Sequence, residues 1–180
     1  MTGIVIINFQ KSDLLPKQIS LIKKYCQDKL YDIIVVDNSK DFNEATNNYY
    51  HSTDAGCRYL KTNDSSTGSI SHAFACNVAY ETIGHDYEYM LFLDHDIFPV
   101  EYFSVENILQ NKIMASLPQE RRLDNKIFRY PWPGLIFINN KLIHKPDVNF
   151  NPVPGLDTGG AMQRIIDKSN ADSFVLFNER

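Results

Sequence analysis

Asp94-His95-Asp96 lies in the stretch YMLFLDHDIFP, at the end of an apolar run. Two carboxylates at alternate positions can share one face of an extended strand. Hard oxygen donors of that kind suit Mg²⁺ or Mn²⁺, which take one or two carboxylates and leave other positions to substrate phosphates. The plain alternative is a strand end turning into solvent. Asp37-Asn38-Ser39 closes a second apolar run, YDIIVVD. Asp37 there either accepts a hydrogen bond from a base N–H or ribose hydroxyl, or closes an Asx-type turn on its own backbone. In TGSISHAFACN, a polar loop with Gly68 opens a helix, aiming unpaired N–H groups at an anion. His72 and Cys76 are one helical turn apart in it, with no second Cys/His pair near enough to complete a metal site. Asp157, in GLDTGGAMQRI, stands just before another helical pattern. It is either an N-cap or a carboxylate held beside bound substrate, free to act as a general base.

These residues need elements to position them. GIVIINF reads as a strand buried on both faces and ends in the polar Asn8, with Phe9 and Gln10 following. Leu14, Leu15, Ile19, Ile22 and Cys26 then recur at helical spacing, with Pro16 in the first turn and Ser12 or Asp13 as cap. YDIIVVD is a second strand, CRYLKT a third, ISHAFACNVAYETIG a helix stopped by Gly84, and YEYMLFLDHD a fourth strand. FNEATNNYYHSTDAG reads as irregular or weakly helical. The first hundred residues thus alternate strand and helix, which predicts an α/β layered fold with helices on both faces. Ligands in such sheets bind at the carboxyl ends of the strands, where Asn8, Asp37, Asn38, Asp94 and Asp96 all fall. Beyond Pro99 the pattern predicts a helix in VEYFSVENILQN, a strand in KIMASLPQ and a polar proline-flanked loop in ERRLDNKIFRYPWP. It continues with a strand in GLIFINN, a Pro/Gly-rich loop, a helix and a final strand.

At 180 residues the chain fits one domain with a real core. Its net charge of −4 argues against a general nucleic-acid binder, though a metal could still carry the charge of a nucleotide's phosphates. No apolar run approaches the roughly 20 residues of a membrane-spanning helix. The N-terminus lacks a basic leader and reads as a strand. Three widely spaced cysteines, Cys26, Cys57 and Cys76, make a poor disulfide framework and point to a reducing compartment, the cytoplasm.

In their order along the chain, these motifs resemble the family 2 type of glycosyltransferase. IVIINFQKSDLL looks like that family's opening strand and helix. IIVVDNSKD resembles its second strand end, and GSISHAFACNVAYE its G-x-x-x-A-x-N helix start, with Asn77 in the Asn position. FLDHDIFP is similar to its metal-binding D-x-D, and LDTGGAMQRI to the acceptor-side helix that begins with the catalytic carboxylate. The resemblance implies the GT-A fold: a single Rossmann-like α/β domain whose mixed, mostly parallel sheet is flanked by helices. Residues 1–100 would form the donor half and 101–180 the acceptor half. It implies a nucleotide-sugar donor, most often UDP-linked, Mn²⁺ or Mg²⁺ as cofactor, and an acceptor hydroxyl on a glycan, lipid or protein. Asn8, Phe9, Asp37, Asn38, Gly68 and Asp94 would bind the nucleotide, with Phe9 bordering the base and Asp37 bonded to it. Asp94 and Asp96 would hold the metal, with Asp96 the more direct ligand, and Asp157 would be the base of an inverting transfer. The alternative is a catalytically silent module of the same fold that binds a sugar nucleotide or another chain. A nucleotidyltransferase is disfavoured, because NFQKSD lacks the glycine-rich loop such an enzyme uses after its first strand.

Overall fold

The computed structural model describes residues 1–168 and 173–177. The chain runs β1 (Thr2–Asn8), α1 (Leu15–Tyr25), β2 (Tyr31–Asp37), α2 (Phe42–Asp54), β3 (Arg58–Lys61), α3 (Gly68–Ile83) and β4 (Tyr89–Asp94). It continues α4 (Val105–Leu109), β5 (Met114–Leu123), β6 (Lys126–Asn139), α5 (Gln163–Lys168) and β7 (Phe174–Leu176). The strands form one sheet in the order β3-β2-β1-β4-β6-β5-β7. The first four strands are mutually parallel where they pair, and β6 runs antiparallel to both β4 and β5.

Strand alternation splits the apolar runs between two cores. Val5, Ile7, Ile34, Val36, Met90 and Phe92 pack with α3 and with Met162 and Ile165 on one face. Ile4, Ile6, Ile33, Val35, Leu91 and Leu93 pack with α1 and α4 on the other. Burying each such side chain stabilises the fold by about 1.5–3 kcal/mol, and this fixes register, since a one-residue slip would swap the faces. That register pairs Asn8 with Asp37 and Ile7 with Asp94, so the three strand-end polar residues stand along one edge.

Four expectations are corrected. FNEATNNYYHSTD is a full helix, α2, whose buried residues are the polar Asn48 and Ser52 and whose N-terminus is capped by Asp41. ERRLDNKIFRYPWP is not a loop but most of a hairpin: β5 and β6 pair from Leu123↔Lys126 outward. Asp124 and Asn125 form its turn with φ of 47° and 63°, the left-handed pair that a tight hairpin turn demands. Its prolines cost little, because Pro118 faces Pro131 where the register slips. The helix expected in VEYFSVENILQN is confined to Val105–Leu109. Neither Ser12 nor Asp13 caps α1, whose N-cap is Leu14. Among the described residues no helix is long and apolar enough to cross a membrane.

Candidate active site

The strand ends build two different structures. At the ends of β1 and β2, polar side chains turn inward. Asp37 is fully buried, and its Oδ2 accepts from the Tyr59 hydroxyl at 2.7 Å. Its Oδ1 accepts from the Ser39 backbone N–H at 2.9 Å and from Asn48 Nδ2 at 3.0 Å. Burial, then the Asp37 carboxylate beside it, pushes the Tyr59 hydroxyl upward in pKa. Asn8 is also fully buried and closes the turn to Lys11 through both ends of its amide. Asn48, from α2, reaches Asn8, Asp37 and Ser39 together. The side chains of Asp37 and Asn8, expected from the sequence at the nucleotide, are thus taken up in bracing the loops beside the cavity. Asn38 lies at the rim, donating to Ser71 Oγ at 2.9 Å and accepting from Thr62 Oγ1 at 2.7 Å.

In front of this brace is a cavity of about 370 Å³, lined by Ile7, Phe9, Asn38, Gly68, His72 and Asp94 among others. Gly68 opens α3 with φ of 57°, and a Cβ there would meet nothing, so conformation and not space requires glycine. Phe9, 39% exposed, offers a ring to the cavity.

Asp94 ends β4, and Oδ1 lies 2.7 Å from His72 Nε2 on α3. Burial opposes an imidazolium at His72, but Cys76 and the Asp94 carboxylate outweigh it and hold its pKa well above the ordinary histidine value. Gln18, fully buried on α1, donates to the carbonyls of Asp94 and Ile97, both at 2.7 Å, and so sets the turn that follows β4. That turn corrects the reading of Asp94 and Asp96 as same-face strand neighbours. The strand stops at Asp94, and Asp96 sits exposed on the turn, with no hydrogen bond or ion pair among the described residues.

A second cavity, of about 210 Å³, shares the His72–Asp94 wall and is closed by Ser69, Gln119, Trp132, Pro133, Asp157 and Thr158. Because β6 is antiparallel to β4 and their pairing ends at Leu93↔Leu135, Gly134, Pro133 and Trp132 overhang Asp94. Asp157 arrives on a loop stapled to α3. Asn77 Oδ1 accepts from Phe150 N–H, Asn77 Nδ2 donates to Asn151, and Thr158 Oγ1 donates to the Ser69 carbonyl, each at 2.9 Å. Asp157 caps no helix; Gly159 occupies that position for the 3₁₀ turn Gly160–Met162. Hydrogen bonds from the Ser69 side chain and the Thr158 N–H hold its carboxyl below the usual range, so it is ionised at neutral pH.

A divalent cation fits Asp94 in one respect. Asp94 Oδ2 has no hydrogen-bond partner among the described residues, and the carboxylate borders both cavities. No cluster of three or more His, Cys, Asp or Glu side chains among the described residues could hold a metal alone. Such an ion would draw its remaining ligands from substrate and water, as Mg²⁺ commonly does. No sequence pattern marks Gln18, Asn48, Gln119 or Trp132, which reach the site from distant elements. His72 was visible only as half of an incomplete pair.

No family model matches this sequence, and no curated protein matches it. Solved structures do match its shape. Glucosyl-3-phosphoglycerate synthase from Mycobacterium tuberculosis, in complex with UDP, matches with a TM-score of 0.63 at 13% identity, over all of this chain and 72% of that one. A mannosyltransferase from Pyrobaculum calidifontis, in complex with GDP-Man and Mn²⁺, matches with a TM-score of 0.62 at 13% identity, over 98% of this chain and 56% of that one. The bifunctional glycosyltransferase WbbM matches with a TM-score of 0.56 at 14% identity, over 98% of this chain. The chain spans only 38% of the WbbM chain. At these identities the likeness speaks for the fold, and the fold is that of the GT-A glycosyltransferases.

Proposed function

We propose that the chain is a glycosyltransferase of the family 2 type that moves a sugar from a nucleotide donor to an acceptor hydroxyl, with inversion and with Mn²⁺ or Mg²⁺. The observation that carries this reading is the shared wall: Asp94 and His72 separate a nucleotide-sized cavity from a smaller one whose far side holds Asp157. On this fold that order is donor, leaving group, base. The larger cavity takes the nucleoside, with Phe9 beside the base, and Gly68 and the start of α3 face its phosphates. Asp94 is the first candidate to hold the cation and exposed Asp96 the second. A bound divalent ion would neutralise the departing diphosphate. Asp157, ionised, takes the proton of the attacking acceptor hydroxyl. Residues 1–100 serve the donor and residues 101–180 the acceptor. Free Cys26, Cys57 and Cys76 support a reducing, cytoplasmic setting; burial raises the Cys26 thiol to about 11, leaving it unreactive.

A second reading, a sugar-nucleotide-binding module without turnover, draws support from Asp157. Its carboxylate is already engaged by Ser69 and Thr158, and its lowered pKa makes it a weak base. Calorimetric titration with UDP and with GDP, in Mn²⁺ and in EDTA, tests donor binding. Equal affinity in both buffers would remove the metal from the scheme. Release of free sugar from the preferred nucleotide sugar, followed by mass spectrometry, separates enzyme from module.

A further inference from the structure

Gln119 carries a buried side-chain oxygen, Oε1, with no hydrogen-bond partner among the described residues, and it lines the small cavity between Asp94 and Asp157. A buried acceptor left unmade is costly, and of the four such side-chain atoms among the described residues (Thr2 Oγ1, Gln18 Oε1, Asn48 Oδ1 and Gln119 Oε1) that of Gln119 belongs to the residue lining this cavity, where a donor can arrive with a ligand. The bulge between Ser116 and Pro118 precedes Gln119 in β5, and bulges of this kind re-aim the side chains beside them.

Trp132 forms another wall of the same cavity. Its indole lies over Gly134: a Cβ at Gly134 would fall 2.4 Å from the ring's Cζ2. Glycine there leaves the room that the ring occupies. The cavity thus combines an aromatic face, an unmatched acceptor and two carboxylates in about 210 Å³. At about 30 Å³ per liquid water this is room for about seven waters, the space of one monosaccharide ring. Polyhydroxylated rings offer C–H faces to stack on an aromatic plane and O–H groups to donate at their rim.

Resting on the donor reading above, we propose that this cavity seats the sugar ring of the donor. Gln119 Oε1 accepts a hydrogen bond from one ring hydroxyl, and Trp132 stacks on the ring. Gln119 and Trp132 then determine which sugar is transferred, since a site built to bond a hydroxyl rejects an isomer that cannot present it. Both residues come from the β5–β6 hairpin, so sugar choice is placed apart from nucleotide binding.

Trp132 is the chain's single tryptophan, which makes intrinsic fluorescence a reporter of this cavity alone. The experiment titrates the wild-type chain with Mn²⁺ and either a bare nucleotide (UDP, GDP) or a nucleotide sugar (UDP-glucose, UDP-galactose, GDP-mannose), exciting at the red edge of tryptophan absorption. Calorimetry on the same samples, and on Gln119→Met, gives affinities. The expected result is an emission change with one nucleotide sugar well beyond that with its bare nucleotide. Gln119→Met should weaken that nucleotide sugar about 3- to 10-fold and leave the bare nucleotide unchanged. The unchanged nucleotide affinity also shows that the variant is folded. An identical emission response to sugar and bare nucleotide would overturn the seating of the ring. Equal weakening of both ligands, or of neither, would overturn the role of Gln119. If the wild type binds no nucleotide at all by calorimetry, the donor reading itself falls, a different outcome from either.

Discussion

The brace behind the nucleotide cavity and the small cavity under the hairpin are both polar, and they spend their polarity in opposite ways. In the brace, Asn8, Asp37, Ser39, Asn48 and Tyr59 bond one another, with Asn8 and Asp37 fully buried. In the small cavity, Gln119 Oε1 has no partner and Asp94 Oδ2 none among the described residues. The brace is largely satisfied, with Asn48 Oδ1 its unmatched atom, and such a network rigidifies; the unmatched atoms of the small cavity instead border open space that a ligand can fill. A carboxylate at a strand end is therefore not by itself a ligand contact: Asp37 and Asp94 end the two strands that flank β1, yet Asp37 is sealed in the brace while Asp94 lines both cavities.

Substitutions can break this contrast. The largest effect is expected at the open end. Asp157→Asn should lower sugar transfer by about 10²–10⁴-fold, because an amide cannot take a proton, while nucleotide affinity and melting temperature stay near wild type. Steady-state rates with a calorimetric control check it, and retained transfer would move the base elsewhere. At the closed end the loss should appear in stability. Asp37→Ala strands the Tyr59 hydroxyl, Asn48 amide and Ser39 N–H, and should cost about 3–5 kcal/mol in urea unfolding. If it unfolds like wild type but binds nucleotide poorly, Asp37 touches the base after all.

Gln18→Leu tests the link between scaffold and site. Losing both carbonyl contacts frees the turn after Asp94, and metal-dependent nucleotide affinity should fall about tenfold, with metal-free affinity unchanged. The smallest effect concerns His72. Its folded-state pKa is raised, so the His72–Asp94 pair stabilises fully below about pH 6.5 and fades as pH rises through the raised value. The melting temperature of His72→Gln should thus fall short of wild type most in mild acid and converge on it in alkali. A gap that widens with pH would reverse the assignment.

Much of the first hundred residues was legible because their central strands are buried on both faces, so Ile4–Ile7, Ile33–Val36 and Met90–Leu93 appear as unbroken apolar runs. Helix α2 was hidden for the opposite reason: its buried residues are the polar Asn48, which anchors it by hydrogen bonds to Asp37 and Ser39, and Ser52, which leave no apolar period to read. The hairpin was masked by arginines and prolines, although Asp124-Asn125 was a turn signal in plain view. At the site, Asp94 and Asp157 could be picked out by motif. The inward turn of Asp37 could not, because it depends on Tyr59 and Asn48 arriving from other elements. Gln18 and Gln119 carry no local pattern at all; their roles arise from where a helix and a hairpin happen to dock.

The parallel register of β1 with β4 also bears on how the molecule is assembled in time. Thr2 pairs with Tyr89, whereas the hairpin closes between Leu123 and Lys126. Hairpins form in about 1–10 μs, but pairing across so long a stretch of chain must first meet a large loop-closure entropy and is intrinsically slow. The wall that chooses the sugar is thus among the first pieces able to form. The edge where Asn8, Asp37 and Asp94 line up must wait for distant strands to meet. Until they do, the apolar runs of β1, β2 and β4 remain uncovered, and that interval is when this chain is most exposed to aggregation.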